Sequence, residues 1–440
     1  MPSNKLLFND FTIVTMNQNQ EVLEHGHLIV ENGKITDLGT GPAVGVFDEV
    51  IEGHGSQVLM PGLINTHCHA PMTLMRGYGG GHDLQTWLND YIFPVEAKLT
   101  PDTIRAGTEL AAAEMISNGI TSFADMYYFC DEMVETVLAS GLNLNVSRGI
   151  TAFEEIPVPA DYKPCREAVA LVDQWDGAGN GQIKVDMSIH GEYTSFLAPK
   201  LWGYLADCAR QHKLGIHVHL SETKLEHLGC IVRHCVSPLQ ALDREGVWDG
   251  TRGMCAHCVW VDPQDMLLMK QKNLSVLHCP TSNLKLGSGI APVAQMIDSF
   301  GINVALGTDG ASSNNNLDLL PEMKLSALLQ NGDTHDPKAI STWNALKMAT
   351  VNGAKALGRP DTGALIPGYQ ADLIALDFQR PHLMPCHDAM ENLVYSARGS
   401  DVILTMARGK ILYRDGFFST IDLDRMNYNL KDALPVLFGK

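Results

Sequence analysis

A chain of 440 residues, 45% of them hydrophobic, has the size for one large domain and a small one. Its net charge of −18 repels polyanions and argues against nucleic acid as substrate or partner. No apolar run is long enough to span a bilayer, so no membrane partner is expected. The opening Met1-Pro2-Ser3-Asn4-Lys5-Leu6-Leu7 lacks a signal pattern, and the ten scattered cysteines read as reduced thiols of a cytoplasmic protein.

Residues 6–57 read as short strands. Within them Leu28-Ile29-Val30-Glu31-Asn32-Gly33-Lys34-Ile35 is a hairpin signal, because Asn-Gly supplies the two positive-φ positions of a type I′ turn. From residue 63 the pattern alternates strand and helix. Strands are expected at Leu63–His67, Thr121–Asp125, Leu142–Arg148, Ile183–His190, Gly215–Leu220, Met254–His257, Leu274–His278 and Asn303–Gly307. Helices are expected between them, among them Asp102–Ser117, capped by Thr100 with Pro101 at its first position, Pro199–His212 and Ser237–Glu245. Eight such units argue for a closed (β/α)8 TIM barrel. Thr342–Leu357 is a further helix, after which strands return at Asp372–Leu376, Val402–Ala407 and Lys410–Tyr413. The expected organisation is α/β: a barrel over 59–360 and a small β-sandwich domain built from 1–58 and 361–440.

The chemistry starts where the first barrel strand ends, at His67-Cys68-His69. Residues i and i+2 of an extended chain face the same side, so both imidazoles can aim at one point. Two other His-x-His pairs exist. His25-Gly26-His27 lies among polar residues and reads as surface; His217-Val218-His219 lies in the fifth strand. Barrel function gathers at the C-terminal ends of the strands. Those ends carry His67 and His69, His190, His219 with Glu222 three residues on, His257, His278 and Asp309. His67, His69, His219 and Asp309 offer neutral nitrogens and one carboxylate, a set suited to Zn²⁺ or Fe²⁺. A bound metal lowers the pKa of its water towards roughly 7. One divalent ion per chain is expected, with Zn²⁺ first. The lysine that bridges two ions in dinuclear barrels would stand at the end of strand 4, but His190 stands there, and Lys184 lies at the strand's beginning.

Pro61-Gly62-Leu63-Ile64-Asn65-Thr66-His67-Cys68-His69 resembles the signature of the amidohydrolase superfamily. His217-Val218-His219-Leu220-Ser221-Glu222-Thr223 and Leu306-Gly307-Thr308-Asp309-Gly310 resemble its later blocks. Within it the chain resembles the 5-methylthioadenosine/S-adenosylhomocysteine deaminases, through Met75-Arg76-Gly77-Tyr78, Trp87-Leu88, Phe93-Pro94-Val95-Glu96 and Ala256-His257-Cys258-Val259. The likeness continues through Pro280-Thr281-Ser282-Asn283-Leu284-Lys285-Leu286 and Gly310-Ala311-Ser312-Ser313-Asn314-Asn315-Asn316-Leu317-Asp318. It implies hydrolytic deamination at C6 of adenine nucleosides such as S-adenosylhomocysteine, methylthioadenosine, adenosine or 5′-deoxyadenosine. It implies that Glu222 carries protons to the ring nitrogen and the leaving group, while His257 and Asp309 orient and deprotonate the water. It implies substrate contacts from Glu96 (to a ribose diol), Arg148, Arg166, His190 and Glu222. A small nucleoside partner and a homo-oligomer are the corresponding expectations. His278 reads as a neighbour of the site or a core residue, His217 as barrel packing, and His82 in the loop Gly79-Gly80-Gly81-His82-Asp83 as a candidate pocket residue.

Other readings carry less. Within the superfamily the alternative is a deaminase or hydrolase of guanine, cytosine, a pterin or a triazine; a free base has no diol for Glu96. Cys255-Ala256-His257-Cys258 lacks the grouped ligands of a zinc knuckle. His190-Gly191-Glu192 lacks the Pro-Cys-x-x-Cys that the cytidine-deaminase signature needs. A non-catalytic interaction protein would be expected to have lost ligands or Glu222, and none is lost.

Overall fold

The apolar runs between residues 63 and 306 are buried along their length, as parallel strands covered on both faces must be. In the computed structural model, which describes residues 5–439, they form a parallel barrel. Met1–Asn4, part of the stretch read for a targeting signal, lie outside the described residues. Strands Leu63–Cys68, Ile120–Tyr127, Asn143–Arg148 and Ile183–Val185 hydrogen-bond in that order. Met187–Gly191, Gly215–Leu220, Arg252–His257, Ser275–His278 and Asn303–Leu306 form the rest. The fourth strand is therefore one run interrupted at Asp186, whose amide still donates to the Val146 carbonyl (2.9 Å).

The last strand closes against the first. Asp309 N–H donates to the His67 carbonyl (2.9 Å), and Thr66 Oγ1 donates to the Leu306 carbonyl (2.7 Å). Gly307 makes this approach possible. A Cβ there would lie 2.8 Å from His67 Cβ and 2.9 Å from its nitrogen.

At the N-terminal ends of the strands, Arg359 is buried and bonded throughout. Its guanidinium donates to Asn145 Oδ1 (2.9 Å) and to the carbonyls of Leu144 (2.8 Å), Gln182 (2.9 Å) and Gly181 (3.1 Å). Beside it Asp186 accepts from Arg252 (2.6 Å), Asn145 (2.8 Å) and the Gly215 amide (2.7 Å). Lys184 donates to the Gly358 carbonyl at this same end, far from the strand's other terminus.

Helix Pro101–Ser117 starts as the sequence suggests, with Thr100 and Thr103 exchanging bonds in a capping box. Thr342–Leu357 is two helices, Thr342–Ala349 and Val351–Ala356. Thr350 breaks them with φ −134° and ψ −99°. Lys224–His234 is a helix that the sequence reading passed over. So is the short run Leu84–Thr86, Trp87–Ile92 and Phe93–Glu96, started by Asp83, whose carboxylate accepts from the amides of Gln85 and Thr86; its middle turn is π-helical.

Both ends of the chain meet in one nine-stranded sheet. The ladder runs from Phe417–Phe418 through Lys410–Arg414, Val402–Ala407, Leu373–Asp377, Gln57–Pro61, Lys5–Val14 and Val22–Glu31 to Lys34–Thr40, with Glu49–Glu52 on Lys5–Val14. The termini join where Leu373–Asp377 pairs antiparallel with Gln57–Pro61. The expected hairpin is present, with Asn32 at φ 54° and Gly33 at φ 82°. Phe8, Phe11, Ile13, Leu28, Ile35 and Leu404 give this sheet its own core. The final helix, Leu423–Phe438, leaves the sheet and lies on Pro101–Ser117, where Arg425 pairs with Glu109 (3.0 Å). Among the described residues no helix is long and apolar enough to cross a membrane.

Candidate active site

His67 and His69 emerge on one side of the first strand, as their spacing requires. Donor atoms of His67, His69 and His219 all lie within 4.8 Å of one another, and so do those of His67, His257 and Asp309. Asp309 Oδ1 is 3.5 Å from His67 Nε2 and 3.3 Å from His69 Nε2. The four side chains named from the sequence as metal ligands thus converge from three strand ends. Asp309 (φ 62°) and His257 (φ 71°) both sit in the left-handed region, which costs energy for residues with a Cβ and is concentrated at functional sites.

The far side of each ring fixes its tautomer. His69 Nδ1 lies 2.8 Å from the Met126 carbonyl, and His219 Nδ1 lies 2.6 Å from the His190 carbonyl. A carbonyl only accepts, so both Nδ1 atoms carry hydrogen and both Nε2 atoms carry a lone pair. Those two Nε2 atoms are 3.3 Å apart. Two lone pairs at that distance repel unless a cation lies between them. His67 Nδ1 is 2.8 Å from His217 Nε2, and His67 Nε2 is buried with no hydrogen-bond partner among the described residues. His217 is therefore not mere barrel packing: it holds the His67 ring. Burial pushes the imidazole of His67 down to about 4 and those of His69 and His219 below their usual value, so all three are neutral at neutral pH. Burial also pushes the Asp309 carboxyl up, but the surrounding imidazoles of His67, His69 and His257 outweigh it and keep Asp309 ionised. Three neutral nitrogens, one of them the orphaned Nε2 of His67, and one carboxylate fit a divalent metal.

Asp309 is held from behind. Its Oδ2 accepts from Ser282 Oγ (2.6 Å) and Ser313 Oγ (2.8 Å). His257 Nδ1 faces Asn283 Oδ1 at 2.8 Å, which leaves Nε2 pointing at Glu222 Oε2, 3.6 Å away. Glu222 is buried and accepts from Ser288 Oγ (3.3 Å). Burial, and next the charge of Asp309, push its carboxyl up to about 8. His217, Ser282, Asn283, Ser288 and Ser313 were not singled out as site residues. Three of them stand in Pro280–Leu286 and Gly310–Asp318, stretches already noted for their likeness, and hydroxyl and amide groups there are the signal that could have found them.

These groups open into a cavity of about 50 Å³ walled by His69, His190, His219, Glu222, His257, Asp309 and Glu96, with Trp87, Leu88 and Tyr193 among the apolar walls. Burial pushes the Glu96 carboxyl up to about 7, against the opposing influence of the Tyr127 hydroxyl. His190 lines the cavity with Nδ1 3.2 Å from Thr194 Oγ1. Phe93, Glu96 and Tyr128 also belong to a second cavity of about 770 Å³, which holds Arg148, Lys163 and Glu167.

Two further expectations are not met. Arg166 is not brought to the pocket: it is exposed on helix Lys163–Trp175, and its guanidinium donates to the Asp161 carbonyl. His82 stacks on Tyr91 (4.6 Å between centroids) instead of facing the cavity. His278 is buried, neutral by desolvation, and has no partner on either nitrogen among the described residues. A separate grouping of Glu192, Cys230 and His234 is already closed, because Arg233 and His234 hold the Glu192 carboxylate.

The sequence model of the amidohydrolase family matches residues 58–412. The 5′-deoxyadenosine deaminase of Methanosarcina mazei is 44% identical over 99% of each chain. The 5-methylthioadenosine/S-adenosylhomocysteine deaminase of Syntrophomonas wolfei is 38% identical over 99% of this chain and 100% of its own. A zinc-bound adenosine deaminase of Xanthomonas campestris superposes with a TM-score of 0.93 at 30% identity, covering 99% of both chains. A metal-ready cluster at the mouth of a parallel barrel, and a family match that spans the barrel and reaches into the terminal sheet, place this chain in the amidohydrolase family.

Proposed function

We propose that the chain is a metal-dependent aminohydrolase that deaminates adenine nucleosides at C6, giving the inosine-type product and ammonia. The observation that carries this reading is one cavity that holds both the imidazole–carboxylate cluster and Glu96. The first suits attack of water on a cyclic amidine. The second, a carboxylate on the same wall, suits a ribose diol, which a free base lacks.

His67, His69, His219 and Asp309 would hold the metal, with Zn²⁺ the best match to three imidazoles and a carboxylate. When bound, it would supply Lewis-acid stabilisation and a lowered water pKa. Asp309, ionised and aimed by Ser282 and Ser313, takes a proton from the attacking water, which His257 helps to orient. Glu222, protonated at neutral pH, gives its proton to N1 as attack on C6 builds negative charge there. The Glu222 carboxylate then takes the proton of the new C6 hydroxyl and passes it to the amino group. Ammonia leaves, C6 becomes a carbonyl, N1 keeps its hydrogen, and the proton on Asp309 returns to solvent while Glu222 regains one.

A nucleoside needs more room than a cavity of about 50 Å³ offers, so this reading expects Leu84–Glu96, which supplies Leu84, Trp87, Leu88, Ile92, Phe93 and Glu96 to its wall, to move outward on binding. The same reading has His190 on the wall beside the base and Arg148 beyond the ribose. It has the terminal sheet as a small β-sandwich formed by 1–58 and 361–440 around a barrel of 59–360. It also has a cytoplasmic homo-oligomer acting on a free nucleoside.

Ammonia release from adenosine, methylthioadenosine, S-adenosylhomocysteine and 5′-deoxyadenosine tests the reading. Turnover of at least one is expected. Failure of all four, with turnover of guanine, cytosine, a pterin or a triazine, would replace it with the free-heterocycle reading.

A further inference from the structure

The larger cavity begins where the catalytic one ends. They share Phe93, Glu96 and Tyr128. If the purine amine faces the histidines and the ribose meets Glu96, whatever the 5′ carbon bears points into the larger cavity. This inference rests on the nucleoside reading and asks which 5′ groups that cavity accepts.

Two cations stand on its wall, Arg148 and Lys163. Both are already engaged by one carboxylate. Arg148 Nε donates to Glu167 Oε2 at 2.9 Å, and Lys163 Nζ is 3.5 Å from Glu167 Oε1. Arg148 also donates to the Gly149 carbonyl and lies over the Tyr128 ring at 4.9 Å. The register follows from the local structure. Lys163 and Glu167 are one turn apart on helix Lys163–Trp175, and that helix faces the end of the third strand, where Arg148 emerges. Two more acidic groups on the wall, Asp131 and Glu132, add to the negative charge that an anion would meet. Asp131 accepts from Trp175 Nε1 (2.6 Å), and Glu132 faces Arg105 at 3.6 Å. Arg166, which could have brought a second guanidinium, is turned to solvent.

A substrate carboxylate entering here would meet an Arg148 whose charge Glu167 already balances, and would have to lie beside the Glu167 carboxylate or displace it. A 5′ methyl, hydroxymethyl or thioether leaves the pair intact. We propose that Glu167 is a specificity-determining residue: by occupying Arg148 and Lys163 from within the protein, it selects adenine nucleosides whose 5′ group carries no carboxylate. The pair is partly exposed, with 17% of the Arg148 and 39% of the Glu167 side chain accessible, so the effect is set at the low end for a charged hydrogen bond.

The test compares kcat/KM for 5′-deoxyadenosine and S-adenosylhomocysteine, by ammonia release, in the metal-loaded wild type, Glu167→Gln and Glu167→Ala. The wild type is expected to favour 5′-deoxyadenosine by about tenfold or more. Either variant should raise S-adenosylhomocysteine by about tenfold, mostly through KM, and leave 5′-deoxyadenosine within about twofold. Equal changes on both substrates, or no gain on S-adenosylhomocysteine, would overturn the role of Glu167 while leaving the deaminase reading standing. A wild type inert on both would overturn the nucleoside reading itself, and with it this inference.

Discussion

The barrel buries polar clusters at both ends, and they are built to opposite rules. At the N-terminal end, Arg359, Asp186, Asn145 and Arg252 spend their hydrogen-bonding capacity on each other and on strand carbonyls. At the C-terminal end, the imidazoles of His67, His69, His219 and His257 are each tied down on Nδ1 and turn Nε2 towards the cluster. His69 and His219 turn Nε2 lone pairs towards one another at 3.3 Å, and His67 Nε2 has no hydrogen-bond partner among the described residues. A satisfied buried network rigidifies a fold; a pre-aimed, unsatisfied one has a ligand to meet. The difference separates the end that holds the barrel shut from the end that does chemistry, though both are rich in buried charge.

Substitutions at the two ends should therefore fail differently. Glu222→Gln should retain metal and fold while losing about 10²–10⁴ in kcat, because general acid–base transfer is removed and no ligand is. Steady-state ammonia release with metal analysis of the same sample checks it, and near wild-type turnover would take Glu222 out of the mechanism. Arg359→Met should do the reverse. Unpairing buried carbonyls at the closed end should lower stability by about 3 kcal/mol, read from denaturant midpoints, while the folded fraction keeps its turnover within about twofold.

His217→Phe comes next. Loss of the acceptor behind His67 Nδ1 should weaken metal affinity about 10–100-fold in a chelator competition, and His217→Gln, which keeps an acceptor, should recover part of it. Unchanged affinity in the Phe variant would return His217 to a packing role. The smallest effect is expected for Glu96→Ala: a loss of about tenfold in kcat/KM on nucleosides, carried by KM, with metal content unaltered.

The sequence made the barrel legible because buried parallel strands leave continuous apolar runs. The metal cluster was legible because His-x-His in a strand can face only one side. The supports were harder to read. Glu222 and His257 stand next to strand ends and were found. Asn283, Ser282 and Ser313 approach from loops, whose course in space no periodicity reveals. His217 looked like packing because its partner, His67, is 150 residues away. The helix Lys224–His234 was missed although Thr223 and Glu226 form a capping box that the sequence displays. Arg166 was misplaced for a simpler reason: on a helix, one residue's difference in position turns a side chain by about 100°, from cavity to solvent.

On the proposed reading, the open nitrogens at the barrel mouth exist for one metal ion. The most direct measurement is the metal content of purified chain, by elemental analysis after loading with Zn²⁺ and removal of excess, for wild type and Asp309→Ala. One ion per chain in the wild type, and a marked loss in the variant, is the predicted result. A reproducible two ions per chain, or full retention by Asp309→Ala, would contradict it.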